Sequence, residues 1–241
     1  MAKDLTVNPL FVSSKQWRRR GLHSIKYIIL HCSDIDWTIE DLWQYDVKGF
    51  HPDAITLGWS QDGRNLIDPL GLPGISYHEV FMKDGERIHC NAWEDLVWHA
   101  GGHNANSLGA CLMYRPTQPS PAFDRAPTDA QLSNFIIWAA ATCLYLGLNP
   151  YEAVLGHREL KGTGWFLDKK GHKRLRKTCP GRAVEMNIVR RRVAEQAQKI
   201  LKRVIDVQLE VDGIWGRRTK KCAADLKQIR GASLTPHYLI V

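Results

Sequence analysis

The chain has 241 residues, of which 44% are hydrophobic and 24% are charged. This composition is typical of a folded globular protein and excludes a disordered chain. The length allows one sizeable core with roughly 50 to 70 residues left for a small second unit. No stretch approaches the roughly 20 consecutive apolar residues that a membrane span needs.

The net charge of +8 indicates a polyanionic partner. However, we find no zinc-finger spacing, no RNP-like aromatic motif and no helix-turn-helix, so we predict no nucleic-acid partner. Much of the excess charge lies late in the chain, in residues 169–177 and 190–203. That distribution predicts a solvated basic face with some attraction to an anionic envelope surface.

The beginning of the chain gives an expectation about location. Residues 1–21 lack the apolar run and the small-residue cleavage site of a secretory signal. We therefore expect the protein to stay in the cytoplasm of the cell that makes it until something else releases it.

The six cysteines are scattered without paired spacing, and no CxxC occurs. We expect most of them to be free thiols, and five of them to be small core residues. Cys179 is the exception, because the basic residues that precede it favour a thiolate.

The first recognisable element is the apolar run Tyr27–Leu30, which predicts a buried strand leading into His31. The segment 34–74 follows, rich in Gly, Pro and Asp and containing three tryptophans, with one possible short helix around Ile39–Tyr45. We interpret this segment as an insertion or a substrate-facing lid.

Further along, residues 75–82 and 87–89 flank an Asp-Gly turn and predict a β-hairpin. The clearest helix is predicted from Thr128 to Leu146, because Thr128 and Gln131 form a capping-box pattern and apolar residues recur at helical spacing. Gly147 is expected to end it.

The short strand Ala153–Leu155 then delivers His157 in the way that the first strand delivers His31. We therefore predict an α/β fold with a mixed central β-sheet flanked by helices, and both histidines at strand ends. A small α-helical C-terminal domain is expected to follow it.

His31 and His157 can be combined with Cys179 into a zinc site. Zinc binds imidazole nitrogen and thiolate sulfur, and three protein ligands with a fourth position left for water are typical of a catalytic site. Each residue alone could equally be a satisfied buried polar group. Together they point to hydrolysis.

Six short segments follow one another in the chain. They are IILHCS at 28–33, GISYH at 74–78, WHAG at 98–101, SLG at 107–109, GHRE at 156–159 and KTCPG at 177–181. In this order they resemble the zinc-dependent N-acetylmuramoyl-L-alanine amidases of the type found in phage lysozymes. The resemblance covers about residues 20–185, and we predict a catalytic domain over residues 1–185.

The resemblance implies cleavage of the amide between the lactyl group of N-acetylmuramic acid and the L-alanine of the peptidoglycan stem peptide. It implies that His31, His157 and Cys179 bind Zn²⁺ and that Tyr77 and Lys177 are the catalytic side chains beside it. The Lys177 ammonium would face the oxyanion of the tetrahedral intermediate. Tyr77 would position the water or substrate, or relay a proton.

Two further aspects of the resemblance concern the substrate groove and the general base. Trp98 and His99 match family positions near the groove and are candidates for substrate binding, although a structural role for His99 is equally open. Where relatives that recycle cell wall commonly carry a glutamate, this chain has Ala110-Cys111. The general base is therefore open between Tyr77, a zinc-bound hydroxide and Glu79.

Residues 209–219 resemble the turn and helix start of the small helical peptidoglycan-binding domain. This implies a second domain over residues 186–241, in which Asp212 and Trp215 are candidates for contact with the cell wall. The competing interpretation is a helical extension that packs on the catalytic domain and turns its basic face towards anionic phosphates of the envelope.

These observations together predict a two-part endolysin, encoded by a phage or prophage, that lyses bacteria by hydrolysing peptidoglycan. It would reach the wall from the host cytoplasm through a membrane lesion. The alternatives are a peptidoglycan-recognition protein without catalysis and a cytoplasmic amidase of cell-wall recycling.

Overall fold

The computed structural model describes residues 3–4, 16–33, 37–48, 72–116, 126–160, 165–167, 173–175 and 178–230. Its main sheet has six strands in the order β1-β4-β3-β5-β2-β6. The central strands β3, β5, β2 and β6 are parallel to one another, and β4 is antiparallel to β3. The strands are β1 (Lys3–Asp4), β2 (Tyr27–Cys32), β3 (Glu79–Phe81), β4 (Arg87–His89), β5 (Ser107–Leu112) and β6 (Val154–Gly156).

The described residues also form five α-helices, three short 3-10 helices and a separate small hairpin. The predicted mixed α/β fold is thus confirmed. The helices are α1 (Ile39–Lys48), α2 (Asp129–Leu146), α3 (Pro150–Ala153), α4 (Met186–Val204) and α5 (Arg217–Arg230), and the hairpin pairs β7 (Trp165–Leu167) with β8 (Lys173–Leu175).

Helix α2 begins and ends where its sequence predicts. The Thr128 hydroxyl accepts a hydrogen bond from the Gln131 backbone N–H at 3.1 Å, and the Gln131 side-chain oxygen accepts one from the Thr128 N–H at 3.0 Å. Gly147 ends the helix with φ of 72°, a left-handed conformation that costs glycine little.

The sheet separates two hydrophobic layers. Leu30 and Ala110 face the layer that contains Phe135 of α2, whereas Cys111 faces the layer that contains Leu42 of α1. Because side chains alternate along a strand and His31 is in register with Cys111, His31 lies on the face of α1.

The two C-terminal helices continue the layer of α2. Val193 and Ala197 of α4 and Leu226 of α5 belong to the same buried cluster as Phe135. The predicted boundary between residues 185 and 186 stays a prediction, and the described helices on its C-terminal side share their core with the sheet. Among the residues that the structure describes, no helix is both long enough and apolar enough to span a bilayer.

Candidate metal centre

Three side chains from separate parts of the chain converge at one edge of the sheet. His31 lies near the end of β2, and His157 follows the neighbouring strand β6 directly, so their ring centroids are 4.5 Å apart. The Cys179 sulfur lies 3.8 Å from Nδ1 of His31. The three candidate ligand atoms all lie within 4.8 Å of one another. The convergence that the sequence predicts is therefore present.

A backbone donor contacts the Cys179 sulfur. The backbone N–H of Cys32 donates a hydrogen bond to Sγ at 3.2 Å. This contact helps to hold the sulfur in its position beside His31. The other five cysteines are buried free thiols, as predicted.

The residues that follow His157 hold the loop that carries Cys179. The Arg158 guanidinium donates to the carbonyl oxygens of Gly181 and Val184, each at 2.5 Å, and to that of Thr178 at 3.3 Å. The backbone N–H of Arg158 also donates to the Cys179 carbonyl at 2.9 Å. One side chain adjacent to a histidine ligand candidate thus fixes the position of the cysteine.

Helix α4 contacts the turn that contains His157. Arg190 donates to the Glu159 carboxylate at 2.9 Å, and that carboxylate also accepts the Gly156 N–H at 2.8 Å. These contacts close the turn around His157. Helix α4 therefore contributes to the geometry of the candidate site as well as to the core.

A third histidine, His99, contacts His31. Nε2 of His31 is 3.1 Å from Nδ1 of His99, and Nε2 of His99 is 3.2 Å from the Ser107 hydroxyl oxygen. Burial lowers the pKa of His99 to about 3, so its ring is neutral near pH 7. The role of His99 in substrate binding stays a prediction, but its ring is buried against His31.

Tyr77 also lies beside His31, with the two ring centroids 5.3 Å apart. Burial, with a smaller contribution from the Cys111 and Cys179 thiols, raises the pKa of Tyr77 well above its usual value. Its backbone is held by Asn91, whose side-chain N–H donates to the Tyr77 carbonyl at 2.6 Å.

The loop before Tyr77 is anchored by α1, which lies in the segment interpreted as an insertion or lid. The Asp46 carboxylate accepts hydrogen bonds from the backbone N–H and the hydroxyl of Ser76, at 2.8 and 2.9 Å. Helix α1 therefore positions a candidate catalytic residue through its immediate neighbour.

Glu79 does not lie with these residues. It is in register with Ala110 and Leu30, so it lies on the sheet face opposite to His31. Its carboxylate pairs with Nδ1 of His89 at 2.8 Å and with Arg87 at 3.9 Å. This buried ion pair removes Glu79 from the candidates for the general base.

The remaining predicted site residues have different outcomes. Lys177 lies outside the described residues. Trp98 is 62% exposed, and its ring centroid is 6.3 Å from that of Trp17. Asp212 accepts a hydrogen bond from the Gln198 side chain at 2.8 Å, and Trp215 packs on the shared core.

The sequence profile of the N-acetylmuramoyl-L-alanine amidase family matches residues 21–182, which carry all three converging side chains. The chain belongs to this family. The comparison with curated proteins returns no significant match.

Solved structures of similar shape include both amidases and recognition proteins. Bumblebee PGRP-SA is 16% identical with a TM-score of 0.50, and the alignment covers 78% of this chain and 93% of that protein. The complex of PGRP-LCa and PGRP-LCx with tracheal cytotoxin is 14% identical with a TM-score of 0.51, covering 78% and 95%. At these identities the likeness supports the fold alone.

The N-acetylmuramoyl-L-alanine amidase LysC from Clostridium intestinale URNW is also similar to this amidase-family chain. It is 15% identical with a TM-score of 0.48, and the alignment covers 78% of this chain and 94% of LysC. The family assignment therefore depends on the sequence profile rather than on this likeness.

Proposed function

We propose that the chain is a zinc-dependent N-acetylmuramoyl-L-alanine amidase of the endolysin type. The observation that carries the proposal is the convergence of His31, His157 and Cys179 within 4.8 Å. Two imidazoles and one sulfur suit zinc, and a set of three protein ligands is typical of a catalytic site. Both histidines are buried, with 2% and 8% of their surface exposed, which suits ligands held in fixed orientation.

The other side chains then have distinct tasks. When bound by these three residues, zinc supplies Lewis acidity towards the scissile carbonyl and lowers the pKa of water towards about 7. Tyr77 carries its phenolic proton at neutral pH, since an ordinary tyrosine has a pKa of about 10, and it can hold the substrate or water by donating that proton. Lys177, two residues before Cys179, would present an ammonium to the developing oxyanion.

On the substrate side, the exposed Trp98, which directly precedes His99 in the chain, offers an apolar ring face. With Trp17 packed beside it, this ring is available to stack on a sugar of the glycan strand. The buried position of His99 against His31 favours a role in orienting that candidate ligand over contact with the substrate.

For the C-terminal helices, the contacts favour packing on the catalytic domain over direct wall contact by Asp212. Its carboxylate accepts hydrogen bonds from Gln198 and from the Ile214 backbone N–H, each at 2.8 Å, and so shapes the turn before α5. We retain cell-wall binding by Trp215 and attraction of the basic α4 face to an anionic envelope as proposals. As an endolysin, the protein would stay in the host cytoplasm until it is released and would then act on the cell wall.

Digestion of purified sacculi tests the proposed function. The wild-type chain should release new amino groups that belong to L-alanine, without new reducing sugar ends, and a chelator should stop the release. Cys179→Ser should lose zinc and activity. The control Cys222→Ser removes a buried thiol of α5 and should retain both.

Other results would support the alternatives. Sedimentation with sacculi without release of amino groups, with or without zinc, would indicate a recognition protein. Release from soluble wall fragments but not from sacculi would indicate an enzyme of wall recycling.

A further inference from the structure

A chain of hydrogen bonds runs from the backbone to the candidate ligand His31. It begins at the His103 carbonyl oxygen, which lies 2.6 Å from the Ser107 hydroxyl. A carbonyl oxygen can only accept, so the single hydroxyl proton of Ser107 is used in this bond. The Ser107 oxygen is then an acceptor for Nε2 of His99, 3.2 Å away.

The direction of these hydrogen bonds fixes which nitrogen of each ring carries the proton. With the His99 proton on Nε2, where the Ser107 oxygen accepts it, Nδ1 of His99 accepts from Nε2–H of His31 at 3.1 Å. The Nδ1 atom of His31 is then unprotonated, on the side that lies 3.8 Å from the Cys179 sulfur. The reverse direction would place a proton on that Nδ1 and prevent it from binding a metal.

The residues around His99 fix the position of its ring. A Cβ atom at Gly109 would lie 2.5 Å from Cγ of His99, so the ring occupies the space that any other residue at 109 would fill. The Asn104 side-chain oxygen accepts the backbone N–H groups of His99 and Ala100, at 3.1 and 2.7 Å. Ser107 itself is fully buried, at 0% exposure.

We infer that Ser107 and His99 are positioning residues that set the tautomer of His31 and so present its Nδ1 lone pair to the metal. The inference rests on the proposed function in that it takes His31 as a ligand. Metal-binding histidines generally donate their other ring N–H to an outer partner, and loss of that partner typically costs 10- to 100-fold in metal affinity. Here the outer partner is a histidine oriented by a serine.

The test compares His99→Asn with His99→Leu in the full chain. Both replacements are similar in size and both lose the contact with Ser107, but only asparagine keeps an acceptor near the position of Nδ1. Zinc affinity is measured by competition with a chromophoric chelator. We expect the Leu variant to bind zinc about 10- to 100-fold more weakly and the Asn variant to stay within about threefold of wild type. Equal affinities of the two variants would overturn the inference.

A second measurement begins with the unaltered protein, so its main result does not depend on whether a variant folds. Long-range ¹H–¹⁵N NMR of the metal-free chain should show both His31 and His99 protonated on Nε2, and Ser107→Ala should produce a mixture of tautomers. Protonation of His31 on Nδ1 would contradict the inference. A wild-type chain that binds zinc but leaves sacculi intact would refute the proposed function and not this inference, because neither readout uses activity.

Discussion

Replacement of Asp46 by asparagine tests how α1 holds the loop before Tyr77. Burial raises the pKa of Asp46 from 3.8 to about 6, although the two hydrogen bonds from Ser76 oppose the shift. Since one pKa unit corresponds to about 1.4 kcal/mol, ionised Asp46 destabilises the folded state by about 3 kcal/mol relative to the protonated form.

The sign of the pH effect follows from linkage. A raised pKa in the folded state gives a stabilising contribution that is present below about pH 3.8 and is lost as the pH rises through about 6. Asp46→Asn removes the ionisation and keeps an oxygen that can accept from Ser76. We therefore expect the variant to match the wild type near pH 3.5 and to exceed its free energy of unfolding by up to about 3 kcal/mol at pH 7.

Urea denaturation of both proteins at the two pH values gives the difference directly. Titration of all other groups cancels in the comparison, because the two chains differ only at Asp46. A variant that is less stable than wild type at pH 7, or a difference that does not change with pH, would refute the reasoning. Asp46→Ala serves as the control that also removes the acceptor, and it should lose the advantage of the Asn variant.

Three further predictions concern residues around the candidate site. Arg158→Lys cannot reach the three carbonyl groups that arginine contacts, and should lower the free energy of unfolding by about 2 kcal/mol in urea denaturation and weaken zinc binding. Tyr77→Phe should bind zinc normally but release amino groups from sacculi on the order of 100-fold more slowly, whereas unchanged turnover would rule out a role for its hydroxyl. Trp98→Ala should change stability by no more than about 0.5 kcal/mol, because the side chain is 62% exposed, and should raise the substrate concentration needed for half-maximal release; an unchanged value would exclude the stacking role.

Local sequence signals located much of the scaffold. The apolar run at Tyr27–Leu30 predicted β2, which continues to Cys32 and so contains His31 within the strand. The capping box and Gly147 gave the limits of α2 because both are local interactions. The hairpin with its Asp-Gly turn is also present, as β3 and β4.

Long-range packing was harder to predict. The apolar pattern does not predict strand β5, because Ser107 and Gly109 interrupt it, although β5 lies between β2 and β3 in the sheet. The order of strands also decides that Glu79 and His31 lie on opposite faces, and no local pattern contains that order. The motif containing His99 indicated a groove residue, and only the contact between β2 and the loop before β5 shows that its ring lies against His31.

The predicted C-terminal domain shows the same limit. The resemblance implied a small helical domain over residues 186–241, and both α4 and α5 lie within that range. That Arg190 of α4 would brace Glu159 beside a ligand candidate depends on how α4 packs on α2. The basic residues of α4 therefore include one with a structural task.

The most direct test of the account is zinc K-edge X-ray absorption on the full chain reconstituted with one equivalent of Zn²⁺. We predict one sulfur neighbour at about 2.3 Å and two imidazole nitrogens at about 2.0 Å, with a single further light atom that does not come from the protein. Replacement of Cys179 by serine should remove the sulfur signal. A wild-type spectrum without sulfur, or one with a fourth protein ligand that closes the site, would contradict the assignment of His31, His157 and Cys179 as an open catalytic metal centre.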